Sequence, residues 1–317
     1  MNQMTAAVFR ALFRAARPWS LLAGVLLYAL GGGIAVYLGN SIHWTTYWLG
    51  QAAATMLQLS AYFLREYFDR ATQPPFESVP RRRPPGPTPE QQEGQQAPET
   101  VEVIIPRVIF FQVSAATLTI GAALTVLLYA AHKLSPVAFM FLGLAFLLAL
   151  AYAVPPFRLV YTGYGELVLA IMLANIFPAL AYLLQIGDLH RLLAMLTFPL
   201  TFLMLAAMLA RSLQRYMEDV RQNRLTMLVR AGWQRGMALH NALVALAYVV
   251  LVVSVLAGLP MRLAFPAFLS LPVGIFQIWQ INAIANGAKP RWRVLSYTAL
   301  ATVGLMAYFL NLALWTG

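Results

Sequence analysis

GELVLAIMLANIFPALAYLLQ, residues 165–185, carries a single charged side chain, Glu166, in its first turn and none beyond it. Its 21 residues, at a helical rise of about 1.5 Å each, span roughly 30 Å, the thickness of a bilayer's hydrocarbon core. No water reaches that layer, so every backbone N–H and C=O must be satisfied inside the segment. A lone segment can do so only as a helix. Similar runs recur at approximately 18–38, 46–68, 108–131, 135–154, 191–212, 237–258, 264–285 and 294–315, for nine expected spans. The composition agrees: 60% of residues are hydrophobic and 10% charged, where a soluble domain carries about 25% charged. An all-α, polytopic membrane protein of about nine transmembrane helices is expected.

Charge sets the expected orientation. With the N-terminus in the cytoplasm, 19 of the 22 Lys and Arg residues fall in the N-terminal arm or in the second, fourth, sixth and eighth loops. Only Lys133, Arg191 and Arg262 fall on the other side. Positive charge is retained on the cytoplasmic side of membrane proteins, so the N-terminus is expected there. The net charge of +11 then reflects topology and anionic lipid, and does not point to nucleic acid. The chain has no cysteine, hence no disulfide and no thiolate chemistry.

Residues 1–17 place Arg10, Arg14 and Arg17 on one helical face with Phe9, Phe13 and Ala16 off it, the pattern of an amphipathic arm lying on the membrane surface. Residues 18–317 form one membrane domain interrupted by 72–106, a stretch rich in Pro, Gln and Glu with little to bury, expected as a flexible cytoplasmic loop. Its Arg81-Arg82-Arg83 run is expected to meet lipid headgroups, and the loop is a possible docking segment for a protein partner.

Two charged stretches close apolar helices on the expected cytoplasmic side: YFLREYFDRA at 62–71 and RSLQRYMEDVRQNR at 211–224. On a helix Tyr62, Glu66 and Asp69 share one face, as do Arg215, Glu218, Asp219 and Gln222. Spacing leaves two readings open. Carboxylates converging from both stretches would suit Mg2+, a hard cation that prefers oxygen ligands and substrate phosphates, with arginines on the remaining phosphate oxygens. Alternatively, Arg65–Asp69, Glu66–Arg70 and Arg215–Asp219 are i, i+4 ion pairs that solvate helix ends. Glu166 is either a functional acid at membrane depth or a partner for a helix N-terminus. Asn175, His240, Asn241 and Asn282 lie in spans and are expected to hydrogen-bond between helices.

The stretch 152–170, YAVPPFRLVYTGYGELVLA, resembles the Tyr-Ser-x-Pro-Pro-x-(Arg/Lys)-Leu-x-Tyr-(Arg)-Gly-x-Gly-Glu-Leu segment of UbiA-type intramembrane aromatic prenyltransferases. It is most similar to the branch that prenylates 1,4-dihydroxy-2-naphthoate in menaquinone synthesis. ARPWSL at 16–21 resembles that family's opening before its first span. The resemblance covers the chain apart from the second loop. The family's Asn-x-x-x-Asp-x-x-Asp motif maps onto Tyr62, Glu66 and Asp69, and its Asp-x-x-x-Asp motif onto Arg215 and Asp219. Of these only Asp69 and Asp219 are kept. Arg158 and Tyr161 match the linking block, and Thr162 replaces a basic residue.

The resemblance implies transfer of a polyprenyl group from its diphosphate to an aromatic, quinone-precursor-like acceptor. Its implied catalytic and Mg2+ ligands are Asp69, Asp219, Glu66 and Glu218, with Tyr62, Arg70, Arg158, Tyr161 and Arg215 contacting substrate. It also implies a place in the bacterial plasma membrane with the site facing the cytoplasm. The altered acids leave a second expectation, a non-catalytic relative that binds an isoprenoid or quinone or assembles with a membrane complex.

Overall fold

A computed structural model describes residues 3–72 and 106–317, with side chains described for 8–69 and 106–317. The described chain is almost wholly helical, and its only extended pairing is a bridge between Thr162 and Leu225. The expected loop 72–106, with its arginine run, lies outside the described residues apart from its ends.

Eight segments are long and apolar enough to cross a membrane. They are α2 (Pro18–Tyr37), α4 (Arg107–Ala130), α5 (Pro136–Ala153), the composite α6–α7 (Gly165–Ile186), α8 (Arg191–Leu213), α11 (Trp233–Leu256), the composite α12–α13 (Met261–Ala285) and α14 (Trp292–Thr316). The ninth expected span exists as the 29-residue helix α3 (Trp44–Thr72) but falls short of the others in apolarity. Gln51 and Gln58 lower it, and both are turned into protein instead of lipid. Gln58 donates to Ser20 O (2.9 Å) and to Tyr62 Oη (3.0 Å). A helix that meets its neighbours through such bonds can be long without being greasy all round.

Two composite spans carry breaks that continuous apolar runs do not announce. In α6 (Gly165–Ile171) and α7 (Phe177–Ile186) the junction is a π-turn, Met172–Ile176, one residue before the N-terminal Pro178 of α7. Proline lacks an N–H and cannot continue an α-helical ladder, and a wider turn absorbs the mismatch. The span expected at 264–285 is divided into α12 (Met261–Phe268) and α13 (Leu271–Ala285). Ser270 fills the break, donating to Ala267 O (2.7 Å) and pairing with Tyr248 Oη (2.9 Å).

The middle of the bundle is α6–α7 with α8. The most apolar window of Gly165–Ile186 is 83% buried by protein, against 17% for Arg107–Ala130 at the periphery. Side chains such as Leu256, Tyr129 and Val126 stand exposed on the outer helices, as a lipid-facing shell requires. The expected interhelical bonds form. Asn175 bridges to Thr197 and Thr201 of α8, His240 on α11 meets Gln277 on α13, and Asn241 donates to Asn282 (2.7 Å). The arm is helix α1 (Gln3–Ala15), which packs Val8, Ala11, Leu12 and Ala15 against Phe63 and Phe110.

Candidate functional site

The site begins at the last turns of α3, where Arg65 and Asp69 lie one turn apart. Arg65 Nε is 3.4 Å from Asp69 Oδ2, and both side chains are largely buried, 14% and 9% exposed. This is the ion pair expected from spacing, but water does not surround it.

Burial comes from the 152–170 block. Helix α5 ends at Ala153, where two prolines stop the ladder. Arg158 then takes a left-handed backbone conformation (φ 37°) ahead of the 3₁₀ turn Leu159–Tyr161. A non-glycine residue there costs about 1–2 kcal/mol, and such strain concentrates at functional positions. Gly163 follows at φ +86°, and a Cβ on Gly165 would lie 2.5 Å from Val160 Cα. The two glycines thus fold the block back on itself, aiming it at α3. As a result Arg158 Nη2 donates to Asp69 Oδ1 at 2.8 Å, and Tyr161 Oη donates to Asp69 Oδ2 at 2.6 Å. Arg65 Nη2 in turn donates to Tyr161 Oη at 3.1 Å.

The loop after α8 closes the third side. It holds two short helices, α9 (Tyr216–Arg221) and α10 (Met227–Ala231), the second capped by Thr226. The Thr162–Leu225 bridge joins this loop to the block, and Arg230 Nη1 donates to Thr162 O (3.0 Å). Glu166 accepts from the Met227 N–H (3.3 Å), so of its two expected roles the structure shows the partner of a helix N-terminus, across the loop rather than on its own helix. Arg224 reaches back over the Tyr161 ring at 5.3 Å, joining Arg158 at 4.9 Å and Arg65 at 5.5 Å. Three guanidinium groups therefore surround one phenol ring. Burial pushes the Tyr161 hydroxyl up to about 12, so at neutral pH it keeps its proton and donates it to Asp69.

Of the residues singled out in the sequence, Asp69, Arg158 and Tyr161 are in mutual contact. Tyr62 is buried two turns earlier on α3, its hydroxyl bonded to Ser20 and Gln58 and its ring under Arg17 (5.3 Å). The side chain of Arg70 lies outside the described residues. Asp219 is buried, with Arg224, Arg215 and Arg65 as electrostatic neighbours, and burial pushes its carboxyl above the ordinary aspartate value. Arg215 is exposed at the head of α9.

The expected convergence of Asp69, Asp219, Glu66 and Glu218 does not form. Among the described residues no three acidic, His or Cys side chains gather closely enough to hold a metal. Successive residues on a helix point about 100° apart, so with Asp219 turned inward Glu218 is exposed, where it accepts from Gln222 (3.3 Å). Asp69 is already engaged by two guanidiniums. The described carboxylates do not by themselves form a cage for Mg2+, an ion that one or two carboxylates hold together with substrate phosphates.

Structural comparison shows that the helical bundle has a known architecture. The chain superposes on the UbiA homolog from Archaeoglobus fulgidus bound to GPP and Mg2+ with a TM-score of 0.63, covering 96% of this chain and 99% of that one at 15% identity. The same homolog bound to DMAPP and Mg2+ gives 0.64 at 16% identity, covering 96% and 99%. This is the UbiA fold. Digeranylgeranylglyceryl phosphate synthase shares it at a TM-score of 0.58 and 11% identity, over 94% of this chain and 92% of that one. In sequence, the chain is 26% identical over 121 residues to the 1,4-dihydroxy-2-naphthoate octaprenyltransferase of Bacillus subtilis (strain 168). That match covers 38% of this chain and 39% of the relative. No protein-family model matches the chain.

Within the UbiA fold, two residues of the cluster are not among those singled out from the sequence. Arg65 reads there only as half of a solvated i, i+4 pair, and Arg224 as one arginine among several. The signal for Arg65 is its register: being one turn before Asp69, it must point wherever Asp69 points.

Proposed function

We propose that the chain is an intramembrane prenyltransferase that moves a polyprenyl group from its diphosphate to an aromatic acceptor of the dihydroxynaphthoate kind. The observation that carries this reading is the joining of Asp69 to Arg158 and Tyr161 at one end of a UbiA-fold bundle, with Arg65 and Arg224 against the same ring. Support comes from the name of the Bacillus relative and from the prenyl diphosphates bound to the Archaeoglobus homolog.

In this reading guanidinium forks of Arg65, Arg158 and Arg224 meet the diphosphate oxygens, and Arg215 adds charge at the entrance. The bond between the prenyl C1 and the diphosphate oxygen breaks, its electron pair leaving with the diphosphate. Cations fixed beside that oxygen stabilise the charge as it develops. A ring carbon of the acceptor then bonds to C1 and loses its proton to water or the released diphosphate. Tyr161 orients the head group, and the prenyl tail lies along apolar helix surface. The arginine-rich end faces the cytoplasm of a bacterial plasma membrane by the charge asymmetry of the loops.

A second reading, a non-catalytic binder of an isoprenoid or quinone, draws on the acids that the structure leaves apart. One assay separates the two. Purified protein in lipid nanodiscs is given radiolabelled prenyl diphosphate and a panel of aromatic acceptors, 1,4-dihydroxy-2-naphthoate among them. Labelled, lipid-soluble aromatic product is expected, and lost in Arg158→Ala. Binding of the diphosphate with no acceptor labelled would overturn the enzyme reading in favour of the binder.

A further inference from the structure

We propose that the end of the bundle opposite the arginine cluster holds an anionic phospholipid by its phosphate, in a cavity between the start of α3 and the turn after α4. None of the residues around Asp69 takes part.

The 29 residues of α3, at about 1.5 Å each, run roughly 43 Å, so Trp44 lies across the membrane from Asp69. There a cavity of about 430 Å³ is lined by His43, Thr45, Thr46 and Leu49 on one side and by Leu128 and Lys133 on the other. That is an ordinary size for a small-ligand site. Both walls are pinned to the end of α7. The His43 N–H donates to Gln185 Oε1 (2.9 Å), and Ser135 Oγ donates to Gly187 O (3.0 Å).

Three kinds of donor meet at this cavity, and none has an acceptor among the described residues. The N–H groups of Trp44, Thr45 and Thr46 precede the first intrahelical bond, which Tyr47 makes to His43 O. They carry the positive end of the α3 dipole, which favours an anion. Thr46 is only 4% exposed, yet its hydroxyl bonds to no protein group. Buried hydroxyls are nearly always partnered, and one that lines a cavity takes its partner there. Lys133 enters no ion pair. The single acid of the sequence at this end, Asp188, does not reach it. Arg262, a cation at the same end, is by contrast satisfied by Tyr37 Oη at 2.8 and 3.0 Å. Amides, a hydroxyl and an ammonium without an anion call for a group with several acceptor oxygens and negative charge, which a phosphate supplies.

The surroundings assign that phosphate to a lipid. Trp44 and Trp48 stand exposed beside the cavity, and exposed tryptophans sit at headgroup level. Leu49 and Leu128 line the same space, so an acyl chain leaving the headgroup meets apolar surface at once. A free phosphate would use the donors and leave the leucines uncovered.

The test is native mass spectrometry of the full-length chain in detergent. It is exposed to equal amounts of phosphatidylglycerol, phosphatidylcholine and diacylglycerol with the same acyl chains, and separately to inorganic phosphate. Retention of phosphatidylglycerol about fivefold above either other lipid is expected. Lys133→Gln should cut that retention about fivefold and Thr46→Val about twofold, whereas Lys133→Arg and Arg262→Gln keep it. Each variant is first matched to the natural chain in circular dichroism and in unfolding temperature without lipid, so that a loss reports the site and not the fold. Equal retention of the three lipids, or retention that Lys133→Gln leaves unchanged, overturns the inference. Inorganic phosphate binding that depends on Lys133, with no preference among the lipids, overturns the lipid assignment in favour of a free anion.

Discussion

Arg158 and Asp69, 89 positions apart in the chain, meet at 2.8 Å and tie the turn after α5 to the end of α3. Asp69 is buried, so removing its strongest donor leaves a carboxylate short of a partner inside protein, which costs more than the pair itself contributes. Because Arg65 and Tyr161 remain, and Arg158 is itself 20% exposed, Arg158→Ala is expected to destabilise by about 1–3 kcal/mol, below the loss for a fully buried pair. Thermal unfolding in detergent measures it. The double variant Arg158→Ala/Asp69→Ala should lose less than the sum of the singles, because no orphaned charge is left.

Much of the bundle is legible from residue types, for a physical reason: lipid permits few backbone solutions, so long apolar runs are almost forced to be helices. Even α3, less apolar than the rest, is marked by its length and its charged end. The contact between Arg158 and Asp69 is a different matter. No periodicity links positions so far apart, and only the likeness of 152–170 to a known block places Arg158 and Tyr161 beside Asp69. The adjacent acids Glu218 and Asp219 are also instructive. Adjacent acids look like a doubled ligand in a string of letters, but α9 can turn only one of them inward. The breaks at Met172–Ile176 and Leu269–Ser270 leave no mark in apolarity because both sides of each break are equally greasy.

Glu166 staples α6 to the loop that carries Arg224, through the Met227 N–H at 3.3 Å. Glu166→Gln replaces a charged acceptor by a neutral one and weakens the bond by about 1 kcal/mol. Hydrogen exchange at the amides of 225–231 should then accelerate by about fivefold, while the amides of α8 are unmoved. Unchanged exchange in 225–231 would mean that the Thr162–Leu225 bridge and the Arg230 bond hold the loop without it.

His240 is fully buried between α11 and α13, with Nε2 facing the Gln277 amide nitrogen at 2.9 Å and Nδ1 facing Asn241 Oδ1 at 3.0 Å. An amide nitrogen only donates, so Nε2 is the acceptor and Nδ1 carries the proton. His240→Leu deprives Gln277 of its acceptor in a dry interior, an expected loss of about 1–3 kcal/mol. His240→Leu/Gln277→Leu should recover part of it by removing the stranded amide. A double variant less stable than either single would show that the network is held by packing.

Asp219 supplies the pH-dependent prediction. Burial raises its carboxyl above the ordinary value against the pull of Arg224, Arg215 and Arg65, so the folded chain holds this proton more tightly than the unfolded chain does. Between the unfolded value, about 3.9, and the higher folded value, the native state binds more protons, and this group's contribution to stability falls as pH rises. Above the folded value the cost of the buried charge is complete; below the unfolded value it vanishes. Asp219→Asn should therefore unfold at a higher temperature than the natural chain at pH 7, with the gap closing as pH is lowered towards about 4. A gap of the opposite sign at pH 7 would mean that the arginines outweigh burial and that Asp219 is held as a stabilising anion. Adding geranyl diphosphate should widen the gap, because a second anion brought beside Arg224 and Arg65 competes with the carboxylate for the same cations.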